Sequence, residues 1–241
     1  MANPYYSDDE KRAAKVNDLF TEIASRYDLI NDAQSFGLHR LWKRRLIREA
    51  RVRSGESALD VCCGTGDLAF ALAKSGARTT GLDFNEPMLE IARSRLRQLK
   101  LNSGGQPVFL QGDAQQLPFP ENEFDIVTVG YGLRNLADWE LGVREMRRVL
   151  KPGGRLLALD FGKPENRLWR GIYFGYLKMC VPMFGRIFCG RAAAYSYILE
   201  SLKHYPAQRG VEKTLHALEM RNVRTLNLLG GIMSINYGEK S

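Results

Sequence analysis

No stretch of this chain reaches the roughly 18 to 20 consecutive apolar residues that a membrane-spanning helix requires, so any contact with a bilayer is expected to be peripheral. Cysteine is scarce. Cys62, Cys63, Cys180 and Cys189 are all there is, they show no metal-ligand spacing, and no secretory leader precedes them. No metal site is therefore expected, and reduced thiols in a cytoplasmic protein are. Adjacent Cys62 and Cys63 read as small residues filling a turn rather than as a redox pair. Internal repeats are absent. Acidic residues are outnumbered, 27 Asp+Glu against 35 Lys+Arg, for a net charge of +8. Such an excess suits nucleic acid, an anionic membrane surface or an acidic substrate. A nucleic-acid-binding module is disfavoured because no helix-turn-helix, zinc or aromatic-strand RNA signature accompanies the charge. The cations are also unevenly spread: Arg40, Lys43, Arg44, Arg45, Arg48, Arg51 and Arg53 crowd one segment, and others recur among aromatics from Lys163 to Arg224.

What is present is organised around Ser57 to Ala69. A short apolar strand, Ala58 to Cys62, runs into a glycine turn and then a helix through Ala69 to Ala73. Glycine permits the sharp bend and the close approach of a ligand because it carries no Cβ. A loose Gly-x-Gly-x-x-Ala match at Gly64, Gly66 and Ala69 allows a dinucleotide turn. Charge decides against it. Asp67 sits where a pyrophosphate would dock on the helix N-terminus, and Asp60 ends the strand beside it. Those carboxylates suit a ligand with a cationic amino-acid tail and a sulfonium, which describes S-adenosylmethionine (SAM). The local alternative for Asp67 is a helix-capping role; Asp60, a carboxylate on an apolar strand, needs a partner. A second strand from Arg78 ends at Asp83, 17 residues past Gly66, where an acidic group meets ribose hydroxyls in nucleotide folds. Asn85 is available to cap the next helix, which leaves Asp83 for the ligand.

Read in order, Met1 to Glu10 are polar and expected to be disordered. Val16, Leu19, Phe20 and Ile23 predict an amphipathic helix. Leu38 to Arg51 predict another, with Leu41, Trp42, Leu46 and Ile47 inward and arginines outward, either a solvated face or a face drawn to anionic lipid. A helix from about Pro87 to Leu101 ends in a loop at Asn102 to Gly105. Val108–Gln111 and Phe124–Val129 are strands three and four. A helix from Trp139 to Leu150 stops at the breaker Lys151-Pro152-Gly153-Gly154, and strand five runs from Arg155 to Asp160. Alternating strands and helices imply a parallel sheet, with ligands beyond the carboxyl ends of its strands. Gly64, Asp83, Asp113 and Gly130 all lie at such ends. Leu168 to Phe188, rich in aromatics and Met, reads as the core of an inserted helical cap or as the lining of a greasy site. A helix near Gly210 to Met220 and strands near Val223–Leu228 and Ile232–Asn236 close the sheet.

These residues resemble the class I SAM-dependent methyltransferases and, within them, the ubiquinone/menaquinone biosynthesis C-methyltransferase family. The general marks are the glycine turn and Lys151-Pro152-Gly153-Gly154. The particular ones are Ile23 to Asp32 with Tyr27-Asp28 and Asn31-Asp32, Ser35 to Arg44, Leu117-Pro118-Phe119-Pro120, and Gly130-Tyr131-Gly132-Leu133-Arg134-Asn135. The resemblance covers nearly the full length. It implies a Rossmann-like α/β fold, a mostly parallel seven-stranded sheet with helices on both faces, as a single methyltransferase domain over 1–241. About 1–53 form its N-terminal helical extension and about 163–205 its inserted cap. Thr65, Asp83, Asp113 and Ala114 are implied to bind SAM, the Asp113 carboxylate taking the adenine amino group and the Ala114 N–H a ring nitrogen. Asp60, Gly64, Gly66 and Gly130 complete that expected set. Many methyltransferases have glycine in place of Cys62, and some family members have serine in place of Gly130, which leaves position 130 without a side-chain contact.

The reaction implied is methylation of a ring carbon in a prenylated demethylquinol. Such a carbon needs electron density, so a base or an oxyanion-stabilising cation is required. Arg134 is the first candidate for steadying the oxyanion and Asn135 for orienting the ring. Tyr27 and His39 are candidates for proton relay, although His39 beside Arg40 and Lys43 also reads as a surface or capping residue. A methyltransferase acting on another lipid is the competing reading. Expected partners are the quinol and, transiently, an anionic membrane surface, with no nucleic acid; a homodimer is compatible with the same reading.

Overall fold

The structure, a computed structural model, describes residues 11–99, 105–189 and 192–241. The expected disorder of Met1 to Glu10 and the loop at Asn102 to Gly104 lie outside the described residues. Side chains are not described at 184, 185, 187–189 and 192–196, so Cys189 falls among these.

Seven strands form one sheet: β1 Ser57–Val61, β2 Arg78–Asp83, β3 Val108–Gln111, β4 Phe124–Gly130, β5 Leu150–Phe161, β6 Arg221–Leu228 and β7 Met233–Glu239. Their spatial order is β3-β2-β1-β4-β5-β7-β6. All pairings are parallel except those of β7, which lies antiparallel between β5 and β6. Strands buried on both faces must be apolar on both. Leu59, Val61, Ile126, Val127, Leu156 and Leu157 are accordingly inaccessible to solvent. The chain crosses from β1 outward to β2 and β3 and then returns to β4, so β1 and β4 flank a topological switch point, and a crevice opens there at the strand ends.

Helices α4 Asp67–Lys74, α5 Glu86–Gln98, α6 Trp139–Val149 and α9 Ala207–Ala217 pack against this sheet. Their starts are chemically defined: Asn85 Oδ1 accepts from Met88 N at 3.0 Å, and Asp138 Oδ1 accepts from Leu141 N at 2.9 Å. Above the crevice lie α1 Arg12–Ile23, α2 Tyr27–Ser35 and α3 Leu38–Ala50 from the N-terminus, with α7 Arg167–Cys189 and α8 Ala192–His204 from between β5 and β6. Helix α7 packs on α8 and reaches α2.

Three expectations change. Leu41 is 54% exposed rather than inward, because the buried stripe of α3 passes through His39, Trp42, Leu46 and Ala50. The breaker ends α6 as expected, but Lys151 to Gly154 then belong to β5: Gly153 N donates to Lys240 O at 2.8 Å and Lys240 N to Gly154 O at 2.9 Å. Gly153 tolerates this at φ +75°. Helix α5 stops at Gln98, short of Leu101.

Candidate active site

Two cavities meet beneath the N-terminal helices. The first, about 810 Å³, sits at the switch point and is bounded by the ends of β1, β2, β3 and β4, with Gly64, Asp83, Asp113, Ala114 and Gly130 in its wall. Helix α1 covers it with Val16 and Asn17. The second, about 900 Å³, lies among α1, α2, α3, α7 and α8 and is mostly apolar, with Tyr27, His39 and Arg134 in its wall. Phe20, Tyr27 and Tyr131 line both. A group bound in one therefore lies across a shared wall from a group bound in the other.

The first cavity is built by backbone. Gly64 N donates to Asp83 Oδ2 at 2.7 Å, and Asn85 N donates to Asp83 Oδ1 at 2.9 Å, so the turn after β1 is tied to the end of β2. Gly64 lies at φ +53° with nothing within 4 Å of where a Cβ would stand, leaving its backbone facing open space. At Gly66, φ is +88° and a Cβ would lie 2.9 Å from both the Phe70 and Phe109 rings. Cys62 at φ +55° and Tyr131 at φ +64° hold the left-handed region without being glycine, at the ends of adjacent strands. Burial pushes both Cys62 and Cys63 thiols well up, which keeps them protonated and unreactive. Asp113 Oδ1 accepts from Gln115 N at 2.8 Å, fixing its carboxylate at the rim.

Asp60 is fully buried, accepts from Thr128 Oγ1 at 2.8 Å and is stabilised by the Ala69 backbone N–H of α4, and it does not line the cavity, so the expected contact with the cofactor is corrected. Burial pushes its carboxyl up to about 7. Asp67 differs. It contacts Lys43 Nζ at 2.7 Å and Arg95 Nη2 at 2.6 Å and faces a separate open groove, so its charge is already met and the expected contact with a cationic tail is corrected. Thr65 and Gly66 are not in the cavity wall; Thr65 Oγ1 donates to Asp28 Oδ1 at 3.0 Å. The remaining set in the wall, two carboxylates at strand ends and an open glycine backbone, fits the diol and amino group of SAM.

In the second cavity Arg134 is 6% exposed. Its Nη1 donates to Asn135 Oδ1 at 2.6 Å, its Nε lies 3.4 Å from Asp160 Oδ1, and its guanidinium carbon is 4.8 Å from the centre of the Phe161 ring. Among the described residues Nη2 makes no such contact. Asn135 Nδ2 donates to Tyr131 O at 3.0 Å, and Asn135 itself faces the first cavity. His39 is 5% exposed, so the surface reading is corrected: the buried stripe of α3 turns it inward. Its Nδ1 lies 2.9 Å from Ser35 Oγ, and burial, with Lys43 nearby, holds the imidazole below its ordinary value and neutral. Burial raises the Tyr27 phenol.

The model of the ubiE/COQ5 methyltransferase family matches residues 8–240. The chain belongs to that family. Among curated relatives it is 40% identical to the ubiquinone/menaquinone biosynthesis C-methyltransferase UbiE of Cellvibrio japonicus, covering 96% of this chain and 93% of that one. It is 35% identical to the demethylmenaquinone methyltransferase of Staphylococcus aureus strain MRSA252, with 97% and 96% covered. Among solved structures, magnesium protoporphyrin IX methyltransferase (ChlM) from Synechocystis PCC 6803, with SAH bound, superposes with a TM-score of 0.68 at 18% identity, over 95% of this chain and 99% of that one. That likeness carries the fold. As a member of the ubiE/COQ5 family the chain is a SAM-dependent methyltransferase.

Two residues important to this family member's site escaped the sequence reading. Asp160 ends β5 and is 4% exposed, and it was findable by the signal that singled out Asp60, a carboxylate on an apolar strand. Tyr131 stood in a motif, but its place between two cavities depends on a left-handed backbone that no residue type announces. Among the described residues no metal-holding cluster occurs, and no helix is long and apolar enough to cross a membrane.

Proposed function

We propose that this methyltransferase alkylates a ring carbon of a demethylated quinol carrying a prenyl tail. The observation that carries this is the second cavity: apolar, about 900 Å³, walled by aromatic rings, yet holding a buried guanidinium beside the wall it shares with the first cavity. A headgroup or nucleotide substrate would want charge and water there; an aromatic ring with an ionising hydroxyl wants what is present. The printed names of the relatives, ubiquinone/menaquinone biosynthesis C-methyltransferase and demethylmenaquinone methyltransferase, support the same substrate class.

SAM, when bound, supplies an electrophilic methyl group that needs only in-line placement. In the first cavity Asp83 takes the ribose hydroxyls, Asp113 the adenine amino group and the Ala114 N–H a ring nitrogen, with Gly64 and Gly130 leaving room. Thr65 and Gly66 shape the turn that carries Gly64, and Asp60 braces it from behind through Thr128. In the second, Arg134 steadies the oxyanion that enriches the ring carbon, and Asn135 fixes the guanidinium. Neutral His39, with Tyr27 in the same wall, receives the hydroxyl proton, and the hydrogen on the alkylated carbon then passes to the ring oxygen as aromaticity returns, so that one proton leaves overall. Calorimetry on Asp83→Ala tests the cofactor assignment: SAM affinity is expected to fall by roughly 1.5 to 3 kcal/mol, and an unchanged affinity removes Asp83 from the site. Labelled SAM offered with separate demethylated menaquinol, phylloquinol and ubiquinol precursors tests the substrate; transfer to none of them overturns the reading.

Access to a tail that resides in lipid requires the enzyme at a bilayer surface. The proposal therefore includes peripheral attachment to anionic membrane through α3 and α7, whose side chains also line the second cavity.

A further inference from the structure

We propose that Gln34 makes the second cavity selective for the reduced ring over the oxidised one. This rests on the ring-methylation reading and adds the residue that distinguishes two redox states of one nucleus. Gln34 lines the cavity from the last turn of α2 and is held from two sides. Its Nε2 donates to Asn31 Oδ1 at 2.8 Å, and its backbone carbonyl accepts from the Tyr176 hydroxyl of α7 at 2.6 Å. The first of these bonds points Oε1 away from Asn31. Oε1 is buried and, among the described residues, has no hydrogen-bond partner.

A buried acceptor without a donor is costly, and a ligand that brings an O–H removes that cost. A ligand that brings only another acceptor leaves it and adds repulsion between lone pairs. A quinol ring carries two O–H groups, whereas the corresponding quinone carries two carbonyl oxygens and no donor. Among the other polar groups on the wall, Arg134 is donor only and the tyrosine hydroxyls both donate and accept, so these serve either form, while the accepting nitrogen of neutral His39 adds to the preference for an O–H. Arg134 therefore cannot tell the two apart, and Gln34, whose acceptor takes no part in the proton transfer, can. Selection at this point has a chemical use: only the reduced ring has a hydroxyl whose deprotonation makes a carbon nucleophilic, so excluding the quinone keeps a dead-end ligand from the site.

The test is anaerobic binding of 1,4-naphthoquinol and 1,4-naphthoquinone to the full chain with S-adenosylhomocysteine present to prevent turnover. The quinol is expected to bind at least about tenfold tighter, the scale of one satisfied buried hydrogen bond. In Gln34→Met that ratio should fall at least about threefold, the quinol binding more weakly and the quinone no more weakly than before, because the acceptor and its lone-pair repulsion go together while the lost contact with Asn31 affects both ligands alike. A ligand control needs no variant: 1,4-dimethoxynaphthalene keeps the reduced ring and both oxygens but has no O–H, and it should bind no better than the quinone. A wild-type ratio near one, a preference for the quinone, or a ratio that Gln34→Met leaves unchanged overturns the role of Gln34 while leaving ring methylation standing. If neither ring binds while S-adenosylhomocysteine does, the second cavity is not a ring site and both proposals fall.

Discussion

Arg134 shows how one residue can be tied to both stability and chemistry. Its guanidinium is paired with buried Asp160, so Arg134→Ala strands a carboxylate, and breaking a buried pair from one side costs roughly 3 to 5 kcal/mol. Arg134→Lys is the cleaner probe. It keeps a cation near Asp160 and loses the planar fork that reaches Asn135 and the ring oxygen together. Methyl transfer in Arg134→Lys is expected to fall roughly 10²-fold, the scale for one lost oxyanion donor, with SAM affinity unchanged by calorimetry; joint loss of both would make Arg134 a cofactor or structural residue. Asp60 makes a prediction of a different kind. Its folded value, about 7, lies above its ordinary 3.8. Its contribution to stability is therefore complete below about pH 4 and is lost as pH rises through 7, because the folded state holds the proton more tightly. Asp60→Asn should remove that loss, flattening the stability profile by about 1.4 kcal/mol for each unit between roughly pH 5 and 7. Urea unfolding at several pH values decides it, and parallel profiles for variant and parent would mean that Asp60 does not titrate there. At this scale the sequence was legible where topology alone places a residue: Gly64, Asp83, Asp113, Ala114 and Gly130 end strands and reach one cavity. His39, Asp67 and Gln34 were not, because their roles depend on which helix packs against them.

The strand, turn and helix unit from β1 to α4 carries the first cavity, and its geometry depends on a glycine whose replacement would be sterically specific. Gly66 stands at φ +88° as the residue before α4, and any Cβ there would enter the edge-packed pair Phe70 and Phe109, whose centroids are 5.4 Å apart. A left-handed backbone costs a non-glycine residue on the order of 1 to 3 kcal/mol, and the two rings add overpacking. Gly66→Ala is thus expected to lower thermal stability clearly and to weaken SAM binding through the displaced Gly64. Gly64→Ala should cost stability for its backbone alone, since open space surrounds its Cβ position. Equal melting temperatures for Gly66→Ala and the parent would show that the rings can yield. Elements with a buried, two-faced apolar run, such as β1 and β4, were readable within a residue or so. The start of β5 was not. Pro152 and Gly153 carry the signal of a break, and only the pairing of Gly153 and Gly154 with Lys240, at the far end of the chain, makes that stretch a strand. Local chemistry set the end of α6 correctly, and a long-range contact set what followed.

For the molecule as a whole, the distribution of apolar surface bears on how a greasy substrate arrives. Leu168, Ile172, Met179 and Met183 are 76%, 55%, 73% and 51% exposed. At about 100° per residue they fall within roughly 60° of one another on α7, a continuous outer stripe, while Tyr173, Leu177 and Val181 on the inner side line the second cavity. Phe36, 74% exposed at the end of α2, stands next to cavity residues Gln34 and Ser35. On the other side of α2, exposed Arg44, Arg45 and Arg48 of α3 supply cations. Apolar stripe, cavity and cations thus occupy neighbouring helices. Burial of each CH₂ of a prenyl tail is worth roughly 0.8 kcal/mol, so a route that keeps the tail out of water is strongly favoured. Each cation near an anionic surface adds up to about 1 kcal/mol, screened by salt. The two contributions separate experimentally. Co-sedimentation with anionic vesicles should weaken at high salt, and Arg44→Gln, Arg45→Gln and Arg48→Gln together should remove that salt-sensitive part. Leu168→Ser with Ile172→Ser and Met179→Ser should lower binding at every salt concentration, because apolar insertion is not screened. If binding is absent at low salt, or if neither set of substitutions changes it, α3 is a solvated face, the α7 stripe meets something other than lipid, and the quinol must reach the cavity by another path.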